Sequence, residues 1–255
     1  MSESGTFRLE DSLLDRLRQA RSVLVLTGAG MSAESGIPTF RDAQTGLWAK
    51  YRPEDLATPE AFEAHPARVW RWYEERRRMV REAEPHVGHY ALVDLAKMLP
   101  SVCIVTQNVD GLHQLAGSRN VWELHGNIKR SKCSVSHRPI SQEWLSDSTH
   151  QPPPSPYVKH GLARPDVVWF GEVLPQEAVD AAMAAAARCD FCFSVGTTSL
   201  VHPANRLPHI ALEHGAPLVE INPQETPLSV LADQCIRAPA SQALAAISGQ
   251  LRALG

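Results

Sequence analysis

The chain has no apolar run approaching the roughly 20 residues that a bilayer-spanning helix needs. From Met1 to Arg21 charges of both signs alternate, without the apolar centre of a secretion signal. Charge of one sign is not in excess either. Twenty-five basic against 28 acidic residues give a formal net charge of −3, so no general basic surface for nucleic acid is expected. Cysteine is sparse: five residues, an odd number spread through apolar segments, which argues against a disulfide framework and fits a reducing cytoplasm. There is no internal repeat. What is present, 44% apolar and 21% charged residues in 255, suffices for one large domain, with or without a small insertion.

The most informative segment is Gly28-Ala29-Gly30-Met31-Ser32-Ala33, directly after the apolar run Ser22–Leu26. A short β-branched run ending in Gly-x-Gly-x-x-Ala reads as the first strand and phosphate loop of a dinucleotide-binding sheet. The first glycine permits the turn, the second lets backbone N–H groups approach a pyrophosphate, and the small residue lets the next helix pack close. Further strand-like runs lie at 102–105, 121–124, 191–195 and 217–221, with helical patterns near 60–82, 87–98, 176–187 and 203–214. A helix with Leu9, Leu13, Leu14 and Leu17 on one face precedes them. The alternation predicts an α/β fold: a Rossmann-like parallel sheet with helices on both faces, plus a small inserted domain.

Ligands of such sheets bind beyond the carboxyl ends of the strands. Polar clusters follow five of the runs: Gly28–Arg41, Gln107-Asn108-Val109-Asp110, His125-Gly126, Gly196-Thr197-Thr198-Ser199 and Asn222-Pro223. With Pro38-Thr39-Phe40-Arg41-Asp42, Glu123-Leu124-His125-Gly126 and Arg164-Pro165-Asp166-Val167-Val168-Trp169-Phe170-Gly171-Glu172, the chain resembles the sirtuins from about residue 20 to about 245. The resemblance implies an NAD-dependent lysine deacylase that consumes NAD. The acyl oxygen attacks C1′ of the nicotinamide ribose, and nicotinamide, deacylated lysine and O-acyl-ADP-ribose are the products. Positioning is then the enzyme's main task.

Carried over residue by residue, the resemblance makes His125 the general base on a ribose hydroxyl and Asn108 a second catalytic group. Gly28, Ala29, Gly30 and Ala33 would form the pyrophosphate loop. Phe40 and Arg41 would lie beside the nicotinamide ribose, and Gln107, Asn108 and Asp110 would orient ribose and carboxamide. Gly196, Thr197, Ser199, Asn222 and Ala240 would line the adenosine end. Val168, Phe170 and Gly171 would sit on a backbone edge to which a substrate peptide adds as a strand. The implied division is a Rossmann-like domain of 1–42, 83–126 and 164–255, a helical insertion 43–82 with the acyl pocket, and a small module 127–163.

Within that insertion Tyr73 and Arg76 are three apart and share one helix face. A phenol beside an arginine fork suits a carboxylate. With a small Ala57 nearby, the pair resembles the class III sirtuins that remove succinyl, malonyl and glutaryl groups; acetyl removal is a possible second activity. The plainer reading is a solvated basic face through Arg76, Arg77, Arg78 and Arg81.

The chain departs from the family at the zinc module, which in most sirtuins has two Cys-x-x-Cys pairs. Here the first pair is Cys133-Ser134-Val135-Ser136 and the second falls near Pro156-Tyr157-Val158-Lys159. Serine, proline and lysine are poor zinc ligands, so no zinc is expected. The alternative is Cys133 with His137, His150 and His160. Cys189-Asp190-Phe191-Cys192 is expected to be two packed cysteines on opposite faces of a strand. His86, His209 and His214 need no role beyond packing or surface, and His89 starts a helix. Other functions weighed are a general deacetylase, a dehydrogenase, a silent NAD or ADP-ribose sensor and an ADP-ribosyl transferase. The dehydrogenase lacks its acidic residue about 20 residues past the glycine loop.

Overall fold

The structure is a computed structural model and describes residues 7–37 and 51–254. Its larger sheet holds β1 (Val23–Thr27), β2 (Val102–Thr106), β3 (Val121–Glu123), β7 (Phe191–Val195), β8 (Leu218–Ile221) and β9 (Gln234–Ile236), all parallel in the order β3-β2-β1-β7-β8-β9. The Rossmann-like expectation is met. The chain builds outward from β1 to β3 and then returns to the other side of β1, so the switch point lies between β1 and β7. That geometry places a ligand crevice at the carboxyl ends of those two strands.

Strands covered on both faces must be apolar throughout, and β1, β2, β7 and β8 are buried at every position. Val23, Val25, Phe191 and Phe193 face α1 (Asp11–Gln19), α5 (Val87–Met98) and α10 (Ala240–Arg252). Leu24, Leu26 and Cys192 face α8 (Gln176–Arg188) and α9 (Arg206–Glu213). The short helices are α2 (Gly30–Ala33), α3 (Pro59–Ala64), α6 (Leu112–Ala116) and α7 (Gln142–Ser146). The helix expected over 60–82 is two: it breaks at His65, and α4 (Pro66–Glu82) restarts on a proline, whose missing N–H costs nothing in a first turn.

A second, antiparallel sheet has the order β5-β4-β6, from β4 (Gly126–Cys133), β5 (Pro139–Ile140) and β6 (Ala163–Val167). α4 packs on it through a cluster of Val69, Trp72, Tyr73, Ile128, Val167 and Trp169. Arg77 pins the contact, donating to Ile128 O (2.6 Å), Arg130 O (3.0 Å) and Ser131 Oγ (2.7 Å). No described helix is long and apolar enough to cross a membrane.

Candidate active site

The strand ends at the switch point are stitched together by backbone. Gly28 N–H donates to Val195 O (3.0 Å), Gly30 N–H to Gly196 O (2.8 Å) and Gly196 N–H to Ile221 O (2.9 Å). A Cβ on Gly30 would stand 2.7 Å from Gly196 Cα, and Gly196 has φ of +60°. Only glycine fits at both places. Ala29 and Ala33, beside this contact, are exposed.

The end of β2 is tied to the same loop. Asn108 Nδ2 donates to Gly28 O and Ser32 Oγ (each 2.9 Å), and the Ser32 hydroxyl donates to Asp110 Oδ2 (2.7 Å). Asp110 Oδ1 accepts Leu112 N–H (2.8 Å), so both carboxylate oxygens have protein donors. Burial raises the Asp110 carboxyl from its ordinary value, with the Leu112 and Ser32 bonds pulling the other way. Gln107 Nε2 donates to Thr197 Oγ1 (3.1 Å), which also takes Ser199 N–H (3.1 Å), while Asn222 Nδ2 donates to Thr197 O (2.8 Å). These bonds make a cluster of two groups, Gly28, Ser32, Asn108 and Asp110 in one and Gln107, Thr197, Ser199 and Asn222 in the other, which meet at the adjacent residues Gln107 and Asn108. Ala240 lies apart from it, in the core at the start of α10, whose Ser241 N–H reaches Glu34 (2.9 Å).

His125 follows β3 and opens into β4. Its Nδ1–H donates to Gln107 O (2.9 Å), because a carbonyl can only accept; Nε2 is therefore the basic nitrogen. Burial lowers its pKa from the ordinary imidazole value, and the Gln107 bond offsets part of that. The ring is neutral, and competent as a base, at neutral pH.

Behind Asn108 runs a relay that the sequence reading missed. His113 Nε2 lies 3.0 Å from Thr27 Oγ1, Thr27 donates to Thr106 Oγ1 (2.8 Å), and Thr106 Oγ1 accepts Asn108 N–H (3.0 Å). His89 and His86 continue the row, with ring centroids 5.0 Å (His113–His89) and 4.3 Å (His89–His86) apart. His86 caps α5 and bonds to Met31 O at 2.6 Å, so it anchors α2 as well as packing.

Tyr73 and Arg76 lie on α4 near enough to influence each other's charge. Tyr73 is 4% exposed and its hydroxyl accepts from Trp169 Nε1 (2.9 Å). Burial pushes this phenol up to about 12, against the pull of Arg76. Arg76 is half-buried with its guanidinium 5.0 Å above the Trp72 ring; burial lowers its pKa and Tyr73 raises it. The basic run is therefore not one solvated face: Arg78 and Arg81 are exposed, but Arg77 is buried and Arg76 partly so. Ala57 O accepts Phe170 N–H (2.9 Å), and His125 O accepts Val168 N–H (2.9 Å), so those two amides are already spent. Phe170 is exposed and Gly171 has φ of +85°. Phe40, Arg41 and Trp48 lie outside the described residues.

Two cysteine readings need amendment. Cys189 precedes β7, so it and Cys192 enter the same buried cluster rather than opposite faces. Burial raises both thiols, Cys189 to about 11, which leaves them inert. Cys133 is buried whereas His137, His150 and His160 are exposed, and no group of three or more metal-capable side chains occurs among the described residues. The alternative Cys-His₃ set is not assembled. The second turn near Cys133 is Ser155–Val158, one residue earlier than the sequence spacing suggests.

A family profile described as Sir2 family matches residues 28–203. An NAD-dependent protein deacylase of Thermus thermophilus is 50% identical over 242 residues, 93% of each chain. NAD-dependent protein deacylase 1 of Pseudomonas aeruginosa is 46% identical, covering 91% of this chain and 95% of its own. Among solved structures, a Sir2 homolog–NAD complex superposes with a TM-score of 0.88 at 40% identity, over 96% of this chain and 95% of that one. A Sir2 variant with deacetylated p53 peptide and 3′-O-acetyl ADP-ribose gives 0.80 at 31% identity, over 94% and 97%.

Proposed function

Because the chain belongs to the Sir2 family, we propose that it removes acyl groups from protein lysines at the expense of NAD, with succinyl and malonyl preferred over acetyl. The observation that carries the acyl preference is the Tyr73–Arg76 pair. A phenol that stays protonated and a partly buried guanidinium stand at the edge of an apolar cluster that includes Ala57, Phe62 and Trp169, where we place the acyl chain. A terminal carboxylate there gains charge-assisted bonds, whereas an acetyl methyl offers the pair no acceptor.

NAD enters as a substrate whose nicotinamide leaves as the acyl oxygen takes its place at C1′. The Gly28–Gly30 loop holds the pyrophosphate, with Ala29 and Ala33 at its rim, and Gly196, Thr197, Ser199, Asn222 and the backbone at Ala240 hold the adenosine side. Gln107 and Asn108 orient the ribose and carboxamide; Asp110 acts through Ser32 and Asn108, since both its oxygens are engaged. His125 Nε2 accepts the proton of a ribose hydroxyl. Phe40 and Arg41 are assigned the loop beside that ribose. The substrate backbone pairs along Val168–Gly171, using groups other than the two spent amides. We assign the reducing cytoplasm, supported by five free thiols, and no resident zinc, since serine and valine stand beside Cys133.

Mass spectrometry of matched succinyl-lysine and acetyl-lysine peptides with NAD tests this. Arg76→Met removes a charged hydrogen bond of about 1.5–3 kcal/mol, a loss of roughly 10- to 150-fold in kcat/KM for succinyl-lysine, with acetyl-lysine little affected. His125→Tyr abolishes both. Faster acetyl than succinyl turnover by the wild type would leave a general deacetylase. Bound NAD without turnover would leave a sensor.

A further inference from the structure

The small sheet is built around a sulfur with no metal-ligand partners among the described residues. In the turn Cys133–Ser136, Cys133 Sγ accepts the N–H groups of Val135 (3.5 Å) and Ser136 (3.4 Å). A like turn faces it: Ser155 Oγ accepts Tyr157 N–H (3.1 Å). Against the effect of burial, Ser136 and Ser155 lie close enough to the Cys133 sulfur to pull its pKa down. The two turns converge on Gly161, where an added Cβ would stand 3.0 Å from Cys133 Sγ, 3.1 Å from Ser155 Cβ and 3.3 Å from Val158 O. Val158 packs on the cluster of Trp70, Cys133, Ile140 and Ala163.

Two Cys-x-x-Cys-like turns closing on one point form the frame of a four-ligand zinc site, with ligand places 133, 136, 155 and 158. Only one of these is a cysteine. Hydroxyls remain protonated at neutral pH, and valine offers no donor at all, so the residues present do not fit zinc.

We propose that this module is a zinc-type frame converted to metal-free folding, in which the Val135 and Ser136 amides hold the Cys133 sulfur, with the Ser136 and Ser155 side chains beside it, where metal–sulfur bonds would otherwise hold four. The rest of the cohesion comes from outside that point. Ser134 N–H donates to Leu162 O (2.8 Å), Ser155 N–H to Gly161 O (2.8 Å) and Ala163 N–H to Pro153 O (2.7 Å). The Tyr157 hydroxyl donates to Pro139 O (2.6 Å), with the Arg138 guanidinium 4.0 Å over its ring, and Trp144 Nε1 donates to Pro154 O (3.0 Å). These contacts span both turns, the work that a structural metal does in a small domain.

The test uses the full chain and two readouts other than activity: elemental analysis, and thermal unfolding with and without EDTA. The wild type is expected to carry well under one zinc per chain and to unfold at the same temperature in chelator. The variant Ser136→Cys/Ser155→Cys/Val158→Cys is expected to bind one Co²⁺ per chain with thiolate-to-metal absorption, and to melt higher with metal than without. A wild type that holds one zinc and loses stability in EDTA overturns the proposal. So does a folded triple variant without cobalt–thiolate absorption, because the four places would then not converge. Should the triple variant fail to fold, Ser136→Cys/Ser155→Cys changes only the two serines beside the sulfur and leaves the packed Val158 in place. It must bind Co²⁺ through three thiolates, and failure to do so counts equally against the proposal.

Discussion

Two buried histidines make this fold acid-sensitive before its carboxylates titrate. His89 and His113 are 0% and 2% exposed. His89 Nδ1 accepts the His86 N–H (3.3 Å) in the cap of α5, so a proton on that nitrogen would set N–H against N–H. Burial, then the nearby His113 and His86, lowers His89 from 6.5 to about 2, and burial, then His86, lowers His113 to about 4. Below pH 6.5 the unfolded chain therefore binds two protons that the folded chain refuses. The stability is complete above 6.5 and falls with pH, until His113 titrates near 4 and His89 near 2. Each histidine costs about 1.4 kcal/mol per pH unit across that window. From about pH 8 to about pH 5 each loses about 2 kcal/mol, and the pair about 4, a figure that needs only folded pKa values below 5. Against a typical stability of roughly 5–15 kcal/mol this is a large fraction. Urea unfolding at fixed ionic strength in half-unit pH steps measures the slope. His113→Gln and His89→Asn should each remove about half of it between roughly pH 6.5 and 5. An unchanged slope in both variants would mean that the rings take up protons while folded, which their burial forbids.

Gly30→Ala forces a methyl against Gly196 Cα at 2.7 Å, where only backbone can yield. It should cost about 1–3 kcal/mol and blunt the rise in melting temperature that NAD gives, as read by calorimetry. Arg164 is 2% exposed, forks onto both Glu172 oxygens and stacks 3.3 Å over Trp169. Arg164→Met should lose about 3–5 kcal/mol in chemical denaturation by stranding Glu172. For His125, a lowered pKa means that the neutral base persists to lower pH. The acid limb of the pH profile of kcat/KM should therefore have its midpoint below 6.5, and a midpoint above that value would exclude His125 as the base.

The parts of the fold that were legible are those where local chemistry and long-range packing agree. The strands β1, β2 and β7 combine β-branched or aromatic residues with polar ends, and the structure places them within a residue of expectation. The antiparallel sheet was not legible: β4 mixes lysine, arginine and asparagine and shifts register between Asn127 and Ser131, so it carries no period-two signal. β9 has only three residues. The basic run of α4 leaves two readings open in sequence for a different reason. Val69, Tyr73, Arg76 or Arg77, and Val80 fall at spacings of three and four, so the buried stripe passes through the arginines. Arg77 can lie in it because three protein acceptors on β4 satisfy its guanidinium. Charge identified the residue type, whereas position on the helix decided its fate.

The small sheet and the proposed chemistry are coupled through two residues. β3 ends at Glu123 and β4 begins at Gly126, so His125 sits in the joint between the sheets. Leu124 N–H is bound to Thr106 O (2.9 Å) on one side, and Ile128 N–H to Val109 O (2.8 Å) on the other. Gly126 has φ of +77°, and a Cβ there would run into the Asp166 carbonyl of β6, so the residue after the histidine must be glycine for the sheets to meet. Beyond β6 the chain leads into Val168, whose N–H holds the His125 carbonyl, and Phe170, whose N–H holds Ala57. The backbones of His125, the proposed base, and of Ala57, assigned to the proposed acyl site, are thus carried by one short edge that continues β6. If the module folds without zinc as proposed, it has to keep that edge as still as a metal would, and its cross-links do gather on the two turns that meet beside Ala163, the first residue of β6.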